Sequence, residues 1–365
     1  MLNSLADLLP GIAKREAADP ERYPLESVAA LYRANIVQAP FDPSLGGEGA
    51  TCRQASETIE AIATASPSLA LIASMPLGLA GVLALGGEGP GDEWTRSWRD
   101  SIEKIARDFQ DGKVYAACNS EKGAGGSLAA TKTVATRDDS GQFRISGDKI
   151  LATSGEHSAV FFSTAKVDDN DLPGAGIVEL FFVDAHAPGV KIANDWNGFG
   201  MRSSESQSVR YENAAVANLF GFPNYLAAMQ PIQYWYHLFA AIPLGCAKSI
   251  FDALGSPAPQ SPALRMRLAE AEMRYEAMRA YLLDTADEFR ASAGGAYARK
   301  VLRMKTYVTQ EATKLSAELF ALSGGRHYSR NSTVARTFAD AFAGTALRPP
   351  LSLGLETLQE QFGAD

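Results

Sequence analysis

Between Lys113 and Phe222 the hydrophobic period of the chain changes, and that change constrains the fold more than any other feature. The runs VYAAC, TKTVATR, FRISGDKI, AVFFSTAKV, IVELFFVDA, GVKIAND and SVRYENAAV are short and rich in β-branched or aromatic residues, as strands require. DDSGQ, DDNDLPGAG and HAPG separate them with turn chemistry. Such runs at near-regular spacing predict a small antiparallel barrel or sandwich. On both sides apolar residues recur at three- and four-residue intervals, the mark of amphipathic helices. SVAALYRANIV, TCRQASETIEAIATASPSLALIASMPLGLAGVLAL and EWTRSWRDSIEKIARDF precede the strands, and three longer helical stretches follow from Asn224 onward. Ser256, Pro257, Pro259, Ser261 and Pro262 break the first of these from the second. No internal repeat is visible. The expected organisation is a helical domain over residues 1–112, a strand domain over 113–223 and a helical bundle over 224–365.

Composition narrows the partners. Lys plus Arg is 34 and Asp plus Glu is 42, a net charge of −8. With no block of basic residues, the chain is expected to bind neither nucleic acid nor an anionic membrane. Cys52, Cys118 and Cys246 lie far apart without metal-ligand spacing and read as small buried hydrophobes, so no metal site is expected. The N-terminal stretch mixes acidic and basic residues into its first apolar run, unlike a signal peptide. No window of about 18 residues reads as an uncharged apolar span. A cytoplasmic location is the resulting expectation.

Three segments could carry chemistry. In AACNSEKGAGGSLAATKTVA, the residues Asn119, Ser120 and Glu121 end a strand, and Gly123, Ala124, Gly125, Gly126 and Ser127 follow. Such a loop either lets backbone amides approach a flat or anionic ligand or merely connects strands. In GDKILATSGEHSAVFF, Thr153 and Ser154 stand at a strand-to-strand turn, where hydroxyls commonly cap the turn itself. In GFGMRSSESQSVRYENAAV, Arg202 lies beside Ser203, Ser204, Ser206 and Ser208.

In this order, inside a helix–strand–helix chain, these segments resemble the acyl-CoA dehydrogenase superfamily of flavoproteins. APFDPSLGGEGA is similar to the family's Pro-x-x-x-Gly-Gly-x-Gly turn, and SEKGAGGSLAATKT to its Thr-Glu-Pro-Gly-Ala-Gly-Ser-Asp stretch. GDKILATSG resembles Gly-x-Lys-x-Trp-Ile-Thr-Asn-Gly, GFGMRSSES resembles Gly-x-Arg-x-Ser-x-Thr, and LSGGRHYSRNSTVARTFADA resembles the C-terminal Gly-Gly-x-Gly-Tyr region. The resemblance implies an α+β multidomain fold with an N-terminal α-helical domain, a central antiparallel β-barrel and a C-terminal four-helix bundle. It also implies FAD or FMN in the cleft between barrel and bundle. Asn119 and Ser120 match positions that face the flavin ring edge, Thr153 matches the hydroxyl beside flavin N5, and Ser154 follows it. Leu151 stands where the family has a Trp against the ring. Gly324 and Gly325 match a distal cofactor contact, and Gly126 replaces a Ser that contacts the ligand.

The departures bear on the reaction. In these dehydrogenases a carboxylate removes the α-proton of an acyl thioester while hydride moves to the flavin. Its usual Glu precedes Gly-Thr, and here Ala343 follows Phe342 in that position, before Gly344 and Thr345. The alternative base position, in the first helix of the bundle, carries Trp235, with Tyr236 where an Arg often follows. The family's Arg-x-x-Phe-Gly diphosphate contact is replaced by SPAPQSPALR, and Ala321 stands for a Gln. This pattern resembles the branch of two-component flavin monooxygenases, which need no carboxylate base. His237 is then the candidate catalytic histidine, with Tyr234, Trp235, Tyr236 and Phe342 as candidate substrate-pocket walls. The expected partners are a small-molecule substrate, a second copy in a homodimer or homotetramer, and a flavin reductase or electron-transfer flavoprotein. The expected function is flavin-dependent oxidoreduction of an acyl thioester or related small organic substrate with the usual Glu base absent; the two-component flavin monooxygenase is one alternative and a catalytically silent flavin- or acyl-binding subunit the other. The stripe Ala298, Val301, Leu302, Lys305, Val308, Ala312, Leu315 and Leu319 is expected to face a neighbouring subunit.

Overall fold

A computed structural model describes residues 2–85, 90–167, 177–290 and 295–362. The expected turn DDNDLPGAG, residues 168–176, lies outside the described residues. Helices α1 (Leu2–Ala18), α2 (Leu25–Arg33), α3 (Cys52–Ala65), α4 (Pro67–Leu85) and α5 (Asp92–Gln110) come first. Strands β1 (Tyr115–Ala117), β2 (Val134–Arg137), β3 (Phe143–Ala152), β4 (Val160–Val167), β5 (Val178–Asp184), β6 (Val190–Ile192), β7 (Gln207–Ala215) and β8 (Asn218–Leu219) follow. The chain then returns to helices α6 (Tyr225–Met229), α7 (Ile232–Gly255), α8 (Pro262–Asp287), α9 (Gly295–Leu322), α10 (Thr333–Ala341), α11 (Ala343–Ala346) and α12 (Leu351–Gln359). In the C-terminal layer α7, α8 and α9 are long, and the short α10 packs against α7 and α9.

Local chemistry sets the helix ends. Thr51 and Gln54 close a capping box at the start of α3. Ser261 accepts from the Leu264 amide, and Pro262 occupies the first turn of α8.

The sheet is mixed, where the strand spacing suggested an antiparallel barrel. Its order is β6-β7-β3-β2-β4-β5-β8, and β1 also pairs with β4. Both β1 and β2 run parallel to β4: Tyr115–Ala117 lie along Val160–Phe162, and Val134–Ala135 along Lys166–Val167. The two short strands thus share one edge of β4 and are interrupted by the glycine-rich loop. That interruption opens the sheet beside Ser163 and Thr164. Ser163 Oγ donates to the Cys118 carbonyl at 2.5 Å, and Asn119 Oδ1 accepts from the Thr164 amide at 2.8 Å.

Two helices, α4 and α7, are long and apolar enough to cross a membrane, contrary to the reading that no such window exists. Yet 89% of the α4 window and 67% of the α7 window is buried within the fold, and a helix apolar all round is what a core position demands. Glycines bring the two together. A Cβ on Gly78 would lie 2.2 Å from Trp235 Nε1, and one on Gly81 would lie 2.1 Å from Tyr234 Cζ. The α9 stripe is also internal: Val301, Lys305, Val308, Ala312, Leu315 and Leu319 are buried, and α9 packs on α7 of its own chain. The expectation that this stripe faces a neighbouring subunit is therefore corrected.

Candidate active site

The gap between β1 and β2 forms one wall of a cavity of about 330 Å3. From the sheet side come Ala117, Asn119, Ser120, Leu151, Thr153, Phe162, Thr164 and Ser206; Leu71 and Met75 of α4 and Ile232, Trp235 and Phe239 of α7 face them. Phe342, Ala343, Ala346, Leu347 and Arg348 complete the helical wall, and the loop Trp196–Met201 contributes Trp196, Phe199, Gly200 and Met201. Among the described lining residues none is Asp, Glu or His, and Arg348 carries the one formal charge.

A buried ion pair shapes the sheet wall. Lys149 Nζ lies 2.6 Å from Glu121 Oε1 and also donates to the Thr164 carbonyl at 2.6 Å. The other Glu121 contacts come from the Lys132 and Thr133 amides and the Thr133 hydroxyl. Desolvation opposes the Glu121 charge, but Lys149 and these donors hold its carboxyl below the usual range. The pair thereby ties the glycine-rich loop to β3 and β4. Leu151 adopts φ 60° and leaves 48% of its surface exposed in the cleft wall, a conformation that non-glycine residues rarely hold outside constrained sites. Thr153 is buried, and its Oγ1 lies 3.2 Å from Ser206 Oγ, which lies 2.8 Å from Ser204 Oγ.

The loop after β6 is fastened to the helical wall. Asp340 of α10 accepts from the Met201 amide at 2.5 Å, and Trp196 Nε1 donates to the Met201 carbonyl at 3.0 Å. Burial pushes the Asp340 carboxyl up to about 7. Phe199, 66% exposed, meets Phe342 edge-on at 6.2 Å. On the other side of that wall, buried Lys305 donates to the carbonyls of Gly344, Leu347 and Pro349 at 3.2, 2.6 and 2.6 Å. Its ammonium thus holds the segment that carries Ala343 and Arg348, although burial pushes its pKa down to about 7.

The structure brings Asn119, Ser120, Leu151, Thr153, Trp235, Phe342 and Ala343 together in the cleft. Only part of Asn119 remains for a ligand, because its side chain is committed to Thr164 and its carbonyl accepts from Arg348 Nη2 at 3.3 Å.

The other candidates stand elsewhere. His237 is fully buried: its Nδ1 lies 2.9 Å from the Gln233 carbonyl and its Nε2 3.3 Å from Tyr297 Oη. Desolvation pushes its pKa down to about 4. The reason is helical phase: Ile232, Trp235 and Phe239 share the cleft face of α7, and His237 lies about 200° around the helix from Trp235. Tyr234 packs on Gly81 and Phe289. Tyr236 is half-buried and does not line the cleft. Ser154 turns toward the connection between α1 and α2 and accepts from the Tyr23 hydroxyl at 3.1 Å. Gly126 lies under Pro350, and Gly324 and Gly325 are exposed after α9, outside the cleft lining.

Sequence reasoning missed Arg348, the Lys305 clamp and the aromatic loop with Trp196 and Phe199, and it named Ser206 without placing it beside Thr153. The signal for Arg348 was present, as the one cation in the apolar stretch after Ala343.

Comparison with known proteins agrees with this geometry. Residues 116–214 match the acyl-CoA dehydrogenase middle domain and residues 237–347 the acyl-CoA dehydrogenase C-terminal domain. The chain is 26% identical over 286 residues to cyclohexane-1-carbonyl-CoA dehydrogenase of Geobacter metallireducens, covering 72% of this chain and 73% of that protein. KijD3 in complex with FMN and a dTDP-linked amino-keto sugar superposes with a TM-score of 0.85 at 23% identity, covering 100% of this chain and 93% of that one. TdsC of Paenibacillus sp. A11-2, bound to FMN and indole, superposes with a TM-score of 0.82 at 18% identity, covering 98% and 96%. By its two matched domains and its helix–sheet–helix architecture, the chain belongs to the acyl-CoA dehydrogenase superfamily of flavoproteins.

Proposed function

We propose that this protein is a flavin-dependent oxidoreductase that uses reduced flavin and dioxygen on a small organic substrate, in place of dehydrogenating an acyl-CoA. The observation that carries this reading is the absence of Asp, Glu and His among the described residues lining the cleft, of which Ala343, the residue that the family resemblance sets in place of the base, is one. Abstraction of a weakly acidic C–H proton without a positioned base forgoes a factor of roughly 10² to 10⁴ in rate.

The residues present fit a flat, polar-edged aromatic group. Leu151 offers an apolar surface, Thr153 a hydroxyl backed by Ser206 and Ser204, and Arg348 an Nη1 that is buried without a hydrogen-bond partner. When bound, a reduced flavin supplies the electrons that activate dioxygen. The protein's part is to exclude water and to hold the reactants. Phe162, Trp235 and Phe239 pack the interior of the cleft, while Phe199 and Phe342 stand at its exposed rim. Ser206 and Thr153 can pass a proton along a hydroxyl chain without a side-chain base. Two neighbours in fold hold FMN with a non-thioester molecule, which supports this reading. A flavin reductase is the corresponding partner, and a homodimer or homotetramer the corresponding assembly.

The test supplies photoreduced FMN and dioxygen and follows hydrogen peroxide release. The reading expects release several-fold slower with protein than with free flavin, and recovery in Trp235→Ala as water enters. Release as fast as from free FMN would reject it.

A further inference from the structure

Two turns meet behind the cleft, and both hold backbone conformations that non-glycine residues seldom adopt. At the end of β3 and just beyond it, Leu151 and Ser154 have φ of 60° and 73°; in the segment before β7, Met201 and Glu205 have φ of 53° and 45°. Such conformations persist only where the surroundings enforce them, and they concentrate at functional sites. Each turn gives the cleft one hydroxyl, Thr153 from the first and Ser206 from the second. These lie 3.2 Å apart, and Ser204 Oγ stands behind them, 2.8 Å from Ser206 Oγ. Glu205 is the strained residue between Ser204 and Ser206, so its backbone angles set the distance between those two hydroxyls.

The groups that enforce the arrangement lie outside the cleft. The Ser154 amide donates to the Ser204 carbonyl at 2.9 Å. Gly155 is pressed onto the second turn, where a Cβ would lie 2.5 Å from Gln207 Cγ and 3.0 Å from the Glu205 carbonyl oxygen. His157 Nε2 lies 3.3 Å from Glu205 Oε2. The His157 ring stacks on Tyr23 at 3.9 Å, and the Tyr23 hydroxyl donates to Ser154 Oγ at 3.1 Å. Tyr23 thus fixes two residues of the first turn, and one of them, His157, reaches the strained residue of the second. Neither His157 nor Glu205 lines the cleft, and both side chains are about one-third exposed. An ion pair so exposed adds little to overall stability; what it controls is the conformation of Glu205.

We propose that the His157–Glu205 pair, seated on Tyr23, is a positioning device for the active site. It holds Glu205 in its left-handed conformation and thereby keeps Ser204, Ser206 and Thr153 in one hydroxyl chain at the cleft. His157 is then a positioning residue that acts on the flavin pocket from the outer surface. The inference rests on the flavin reading above and adds what fixes the hydroxyls that the cleft offers in place of a side-chain base.

The test is a series of variants titrated with FMN, read by fluorescence quenching and by the absorption spectrum of the bound flavin. His157→Phe keeps the stack on Tyr23 and removes the donor to Glu205. It is expected to weaken FMN binding about fivefold, the size of one neutral hydrogen bond, and to shift the spectrum as Ser206→Ala does, with no further loss when the two are combined. His157→Gln, whose amide still donates to Glu205, recovers part of the loss. Glu205→Ala keeps the strained position without the carboxylate and behaves like His157→Phe. Glu205→Gly, which takes a positive φ freely, binds FMN as wild type does and makes His157→Phe silent. A His157→Phe effect that persists in the Glu205→Gly background overturns the proposal, as do wild-type affinity and spectrum in both His157→Phe and Glu205→Ala. Should His157→Phe not fold, as judged by circular dichroism, the contrast between Glu205→Ala and Glu205→Gly decides. If wild type binds no FMN, the flavin reading fails by itself, and amide hydrogen exchange in the protein alone judges the device. Faster exchange over residues 153–157 and 203–207 in His157→Phe supports it, and unchanged exchange there overturns it.

Discussion

The two walls of the cleft handle buried charge in opposite ways. On the sheet wall, Lys149 meets the Glu121 carboxylate, and the remaining oxygen contacts come from neighbouring amides and a hydroxyl. On the helical wall, Lys305 meets only carbonyls and Arg348 one carbonyl, with Nη1 left over. The sheet wall is electrostatically complete in the protein alone. The helical wall is left to be completed by what binds, since a buried donor without an acceptor is a cost that a ligand oxygen removes.

Breaking the complete wall has the largest expected effect. Lys149→Met strands a buried carboxylate, and loss of one partner of such a pair costs about 3 to 5 kcal/mol. Denaturant unfolding checks it, and a loss below about 1 kcal/mol would erase the contrast between the walls. Lys305→Met comes next. It leaves three carbonyls short of a donor and should cost about 3 kcal/mol, with faster hydrogen exchange confined to residues 343–349. Equal acceleration around Glu121 would show that the two walls are not independent.

The helix that carries Trp235 into the cleft carries His237 behind it, and this sharpens the comparison through pH. Burial lowers the His237 pKa from 6.5 to about 4, so between those values the unfolded chain binds more protons than the folded one. Its contribution is fully present above pH 6.5 and is lost as pH falls through 4, by roughly 3 kcal/mol. His237→Leu should flatten that part of the stability profile between pH 6.5 and 4.5. An unchanged slope would mean that the ring is protonated or solvated in the fold. The smallest effect belongs to Thr153→Val, which removes one neutral hydrogen bond, about 1 kcal/mol in flavin affinity, with a modest shift of the flavin spectrum. A hundredfold loss of affinity would give the hydroxyl chain more weight than Arg348.

The sheet wall was legible in the sequence because its pieces are local. Asn119, Ser120 and Glu121 lie beside the glycine loop they support, and Leu151 and Thr153 lie at the end of one strand. The pairing of β1 and β2 with the same edge of β4 was not legible, since strand spacing says nothing about which distant edge a parallel strand joins. On the helical wall, phase was the obstacle. QYWYHLF places Tyr234, Trp235, Tyr236 and His237 within one turn, and only packing against Gly78 and Gly81 of α4 decides that Trp235 enters the cleft. The α9 stripe was visible as apolar spacing, but not that α7 of the same chain covers it. Arg348 and Lys305 needed the fold to bring α9 under the segment after α11.

Whether the helical wall provides a base to the cleft is read out by anaerobic mixing of the flavin-loaded protein with short, medium and branched acyl-CoAs. Flavin absorbance near 450 nm is the readout, with Ala343→Glu run beside wild type. Negligible bleaching is expected in wild type and at most a slight gain in Ala343→Glu, since the described lining of the cleft holds no Asp, Glu or His. Rapid bleaching of the wild-type flavin by any acyl-CoA would contradict this, and would place a carboxylate in reach of the cleft.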